Sequence, residues 1–195
     1  FTLIEILVAT TIISGIGIMV GLFALDISDF GIFLGDTLTA QQELQQTLNV
    51  LSAEIRSMGP GDNGSYMIGS VSSTSLTFYS DVDDDGAINQ VRYFLQGNTL
   101  RKGVIESSGS PLGYNPASEI IIDVVHDVIA SSGNPLFRYY PTLTTGSESP
   151  LGYPIQTTDI RLIKTTIIAD RTPLDVRGRV TFSATTKIRN LANGQ

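Results

Sequence analysis

A run of 20 residues without a charge, Ile6–Leu25 (ILVATTIISGIGIMVGLFAL), constrains this chain more than any other feature. As an α-helix rising about 1.5 Å per residue it reaches roughly 30 Å, the thickness of a bilayer's hydrocarbon core. A secretory signal is the obvious competitor and fits badly. No basic segment precedes the run, no small-x-small cleavage site closes it, and a glutamate, Glu5, stands at its edge. The run therefore reads as a retained membrane anchor, a transmembrane helix over residues 1–25. The first residue is Phe1 and not Met, which reads as a start made by proteolysis.

Glu5 is the anomaly in this segment. A carboxylate near the start of an apolar helix is costly in lipid unless it is paired or lies at the interface. Its nearest cation in sequence is the amino terminus of Phe1, either its own or that of a neighbouring copy. A helix N-terminus also favours negative charge, which gives a purely structural reason for the residue. Further along stand Ser14, Gly15, Gly17 and Gly21. Each glycine weakens a helix by about 1 kcal/mol relative to alanine, so this is the weakest part of the stalk. Gly17 and Gly21, like Gly31 and Gly35, form GxxxG pairs that permit close helix approach, although the pattern is a common one.

Beyond Asp26 and Asp29 the pattern becomes amphipathic. Leu44, Leu48, Leu51, Ile55 and Met58 fall at 4-3-4-3 spacing, one stripe on a helix over residues 26–58. The stripe lasts barely two heptads, too short for a coiled coil, so it reads as the seat of a C-terminal domain. Gly59-Pro60-Gly61 is the expected stop.

These residues carry a resemblance. Phe1-Thr2-Leu3-Ile4-Glu5 ahead of an uncharged run of 20 resembles the mature N-terminus of the type IV pilin and type II secretion pseudopilin superfamily. The resemblance implies that a prepilin peptidase cuts a leader before Phe1 and that the new amine is then methylated. It implies that Glu5 neutralises the amine of an adjacent subunit during assembly, and that the apolar helices become the core of a helical filament. Many major pilins place a proline near position 22, where this chain has Leu22. With Gly15, Gly17 and Gly21 as breakers instead, residues 14–22 are expected to unwind in the packed filament and to stay helical in the membrane.

Composition narrows the chemistry. With 42% hydrophobic and 16% charged residues, the chain is no disordered polyanion. It has 19 acidic and 12 basic residues, a net charge of −7, and no clustered basic face of the kind phosphate binding needs, so no nucleic-acid site is expected. It has no cysteine and a single histidine, His126, which removes thiolate and multi-histidine metal sites and thiol nucleophiles. The expectation is a protein that is not an enzyme. Charge is split along the chain: residues 1–85 hold 11 carboxylates and one base, Arg56, whereas residues 86–195 hold 8 and 11. Such a split suits head-to-tail association of copies.

Residues 59–195 read as a β-rich head. Ser75–Tyr79 and Gln90–Leu95 are β-branched or aromatic runs on either side of an acidic turn, and Gly97-Asn98 leads into Leu100–Ile105. Ile120–Ile129 fits a short helix or a strand. Phe137–Tyr140 is a strand, and Asp159–Ala169 with Val176–Ile188 forms a final antiparallel pair around Asp170-Arg171-Thr172-Pro173. Pro141–Thr158 is an exposed loop.

The acidic turn Asp81-Val82-Asp83-Asp84-Asp85-Gly86 is the best candidate for chemistry. Asp81, Asp83 and Asp85 place hard oxygens around one point, with Asn89 as a further donor, and such sets favour Ca²⁺. Arg92 stands where an EF-hand needs its glutamate, so this is no EF-hand. The other reading is a solvated Asp-Gly turn. Asn63-Gly64-Ser65 is a glycosylation sequon, residues 142–149 are rich in Ser and Thr, and His126 between Asp123 and Asp127 reads as a structural residue.

The order strand, acidic turn, strand, Leu100-Arg101-Lys102-Gly103, and the ending Ile188-Arg189-Asn190-Leu191, are similar to larger pilin-like proteins. These are the J-type minor pseudopilin of type II secretion and the related minor pilins of type IV pili. The expected fold class is α+β: a long N-terminal helical stalk with an antiparallel β-sheet head. The expected function is a pilin-like subunit of an extracellular type IV pilus, serving attachment, motility or DNA uptake. The alternatives are a minor pilin or J-type pseudopilin at a filament tip, and a membrane-anchored ectodomain that never polymerises. The resemblance implies as partners other copies, related subunits, an inner-membrane assembly platform, the peptidase, and the bilayer before assembly. No cofactor is required, and calcium is the one candidate.

Overall fold

No proline occurs before Pro60, and the first 56 residues are dominated by residues a helix tolerates. They form one α-helix, α1 (Leu3–Arg56), of 54 residues. The computed structural model describes residues 2–141, 149–170 and 179–188. Phe1, the ending from Arg189, the turn residues from Arg171, and most of the Ser/Thr-rich 142–149 segment lie outside them. The chain forms two compact units, one up to Gln41 and one from Gln42 onwards.

In the N-terminal unit, Leu3–Ser28 is long and apolar enough to cross a membrane, with a mean hydropathy of 2.3 and none of it buried within the chain. Gly15, Gly17 and Gly21 all lie in unbroken α-helix, and a Cβ added at any of them meets nothing within 4 Å. Among the described residues nothing makes use of their smallness. The hydroxyls of Thr10 and Thr11 donate back to the carbonyls of Ile6 and Leu7 at 2.8–3.0 Å, which satisfies their polar groups inside the apolar run.

The second unit begins with the last four turns of α1. Leu44, Leu48, Leu51 and Ile55, with Met58 just past the helix, are all buried, as the spacing predicts. The helix ends at Arg56, a few residues before the glycine–proline stop. Ser57 Oγ bonds back to the carbonyls of Ala53 and Glu54, and Gly59 N–H donates to Tyr79 O, so the exit is tied to the sheet.

The sheet this helix covers is antiparallel throughout. It comprises β1 (Ile68–Val71), β2 (Ser75–Ser80), β3 (Asn89–Gln96), β4 (Thr99–Ile105) and, after a small hairpin of β5 (Ser107–Ser108) and β6 (Gly113–Tyr114), β7 (Ile120–Val125). The order is β1-β2-β3-β4-β7. A second sheet, ordered β10-β9-β8, holds β8 (Phe137–Tyr140), β9 (Leu162–Asp170) and β10 (Arg179–Lys187). Register aligns Leu76 with Tyr93 and Phe78 with Val91, and the Phe78 and Tyr93 rings stack 6.3 Å apart. These four residues, the α1 stripe, and Phe137, Tyr139, Ile163 and Ile167 of the second sheet form one core. Burying each such side chain contributes about 1.5–3 kcal/mol. The α+β class with a long helix and an antiparallel head is the observed architecture.

Two expectations sharpen or change. The ambiguous Ile120–Ile129 is a strand up to Val125; its three isoleucines and two valines crowd a helix but suit pairing along β4. The chain then bends at Asp127, whose φ is 59°, and Val128 bridges to Ala169 of the second sheet. His126 consequently stands exposed on that bend.

Candidate functional site

Thr2 and Glu5 define the start of α1. Thr2 O accepts from the N–H groups of Glu5 (3.1 Å) and Ile6 (3.4 Å), and Glu5 Oε2 accepts from Thr2 N–H at 3.0 Å. Thr2 Oγ1 lies 3.5 Å from the same oxygen. This is the returning half of a capping box, in which a glutamate at the third helical position satisfies the donor of the cap residue. The T-x-x-E signal was present in Thr2–Glu5, and reasoning from lipid cost and dipole alone passed over it. Glu5 is exposed, and the amine of Phe1 expected to face it lies outside the described residues.

The acidic turn lies in the second unit, between β2 and β3. Asp81, Asp83 and Asp85 each offer an oxygen, all within 4.8 Å of one another. The turn is closed by its own bonds: Gly86 N–H donates to Asp81 Oδ2 (3.1 Å) and Ala87 N–H to Asp85 Oδ1 (2.8 Å). Gly86 sits at φ 88°, where a side chain is strained, and Asp84 at φ 58°. Asn89 is buried, with its Oδ1 accepting from Val82 N–H at 3.2 Å, so it first serves the turn. Asp81 Oδ1 is buried without a hydrogen-bond partner. Three hard donors at this spacing, one of them an orphan, fit a divalent cation with ligands at about 2.4 Å.

Sequence reasoning missed the brace beneath this turn. Asp62 Oδ2 accepts from Ile88 N–H (3.1 Å) and Ser107 Oγ (2.6 Å). Tyr114 donates its hydroxyl to Ile88 O (2.7 Å) and accepts from Asp62 N–H (3.0 Å). Burial chiefly, opposed by the Asp62 N–H bond, pushes the Tyr114 phenol up from its ordinary value. Four segments distant in sequence meet here, and no local pattern announces them.

A second polar cluster joins α1 to the sheet. Lys102 Nζ pairs with Glu54 Oε1 at 2.5 Å and Tyr93 OH donates to Glu54 Oε2 at 2.9 Å. Burial first, then the Glu54 charge and hydrogen bond, hold the Tyr93 phenol far above its usual range. Arg92 grips Glu119 through two bonds of 2.7 and 2.9 Å, and the carboxylate lies over Gly103, where a Cβ would collide with it.

Asp123 is paired with Arg101 at 2.8 Å, and His126 Nδ1 faces Thr99 Oγ1 at 3.4 Å, so these residues form no acid–base group with each other. Asn63 is exposed in a turn, its Oδ1 accepting from Ser65 N–H. In comparisons with known proteins, no family model and no curated protein matches the chain, so its function is read from these residues alone.

Proposed function

We propose that this chain is a non-catalytic, pilin-like subunit that leaves the inner membrane and assembles through α1 into an extracellular filament. One observation carries the reading: Leu3–Ser28 is wholly exposed, apolar, and opened by the capped carboxylate of Glu5. The same helix ends in the core of a β-rich head. An apolar helix left uncovered among the described residues is suited to lipid or to other copies, and a filament core supplies the second after the first. Glu5 then meets the amine of an adjacent copy. The test is assembly of Glu5→Ala in cells. Processing and membrane residence persist while fibre yield collapses, and Glu5→Asp, with the same charge and a shorter reach, falls between. Normal fibre yield from Glu5→Ala refutes the pairing.

A further inference from the structure

β8 carries two buried tyrosines side by side, and only one of them spends its hydroxyl inside the head. Tyr139 belongs to the core and donates to the carbonyls of Ser72 (2.9 Å) and Ser75 (3.1 Å). Tyr140 follows it on the opposite face of the strand and is only 4% exposed. A phenol this deeply buried normally finds a partner. That of Tyr140 has none among the described residues, yet its oxygen is not sealed from solvent. Tyr140 lines a cavity of about 450 Å³ beside β8, and its hydroxyl opens there.

Arg138 lines the same cavity, on the same face of β8 as Tyr140. One Nη donates to Gly133 O at 2.8 Å. Register sets Lys164 of β9 directly opposite Arg138, so two cations share one face of the sheet. Neither pairs with a carboxylate among the described residues. Like charges so placed repel, a cost that a bound anion would offset. The remaining wall is apolar and flat, made by Pro135, Pro150, Leu151 and the ring of Tyr153, which is 53% exposed. Ser132 adds an exposed hydroxyl.

These features select a ligand class. Inorganic phosphate would use the cations and leave the apolar wall bare. An aromatic acid would cover the wall and leave the phenols unpaired. A pyranose bearing a carboxylate satisfies all three. Its C–H face lies against the prolines and rings, its hydroxyls pair with Tyr140, Tyr153 and Ser132, and its carboxylate takes the planar guanidinium. The volume lies towards the small end of the range of about 300–1,000 Å³ for ligand sites and suits one or two sugar rings.

We propose that the cavity beside β8 binds an acidic sugar, either free or as a residue of an acidic polysaccharide. The inference goes beyond the filament reading, and its test does not depend on fibres. The full-length chain in detergent micelles is titrated calorimetrically with D-galacturonate, its α-1,4-linked trimer, D-galactose and inorganic phosphate. Galacturonate binds saturably, galactose at least about tenfold more weakly, and phosphate not at all. Tyr140→Phe removes only an oxygen and Arg138→Gln only a charge; each keeps the circular dichroism of the unaltered chain and weakens galacturonate about tenfold. Tighter binding of the trimer assigns the site to a polysaccharide, and equal binding assigns it to the free sugar. No saturable heat with either acid, galactose or phosphate binding as tightly as galacturonate, or an affinity unaltered in Tyr140→Phe or Arg138→Gln overturns the site and leaves the filament reading standing.

Discussion

Glu5 serves the helix that bears it by capping Thr2, and it is proposed to serve a neighbouring copy by its charge. One substitution separates the two roles. Glu5→Gln keeps an acceptor that reaches Thr2 N–H, so the helix start loses only the dipole contribution of about 0.3–1 kcal/mol. It cannot neutralise an ammonium. The expected outcome is normal helix content by circular dichroism with fibre yield as low as in Glu5→Ala; fibre yield restored by glutamine would assign the residue to capping alone. At the acidic turn, if Asp81, Asp83 and Asp85 hold a divalent ion, that ion binds the folded head only. The melting temperature should therefore rise with millimolar calcium, fall back with chelator, and stop responding in Asp83→Ala. A melting temperature indifferent to calcium leaves a turn closed by its own bonds. The carboxylates of this site were legible because they are adjacent in sequence. Asp62, Tyr114 and Ser107 were not, because they converge only once the sheet has formed.

Among the elements, α1 and its docking on the sheet invite two tests. Tyr93 keeps its proton in the folded head far above its ordinary pKa of 10.0, because its phenol is buried against Glu54. In the unfolded chain the phenol ionises near 10, so its contribution is fully present below that pH and is lost as pH rises above it. Urea midpoints should hold between pH 7 and 9 and fall towards pH 11, with a smaller fall in Tyr93→Phe. An equal fall in Tyr93→Phe would assign the alkaline loss to other groups. In the stalk, Gly17→Ala with Gly21→Ala stabilises the lone helix by about 1 kcal/mol per site and meets no steric obstacle among the described residues. If residues 14–22 unwind in the packed filament, the double variant should be processed normally but assemble poorly. A continuous helix through these residues in filament coordinates contradicts the unwinding.

Periodicity exposed the Leu44–Met58 stripe because a helix on a sheet buries every third or fourth residue. It left Ile120–Ile129 undecided because an exposed edge strand shows no alternation. Its burial runs exposed from Ile120 to Asp123. β1 and the β5–β6 pair escaped notice because strands of two to four residues rich in Gly and Ser carry almost no pattern.

For the whole molecule, the proposed filament would join an exposed apolar helix and a well-packed β head through helices shared between copies. The chain's acidic first part and basic second part favour such sharing, and its lack of cysteine places the burden of cohesion on packing. The most direct test is electron microscopy of fibres sheared from cells that make the chain, with mass spectrometry of the purified fibre protein. The expected result is fibres built from this chain, their N-terminal peptide beginning at Phe1 with a methylated amine. Its recovery only as a dispersed membrane-bound protein, absent from every fibre, would contradict the account.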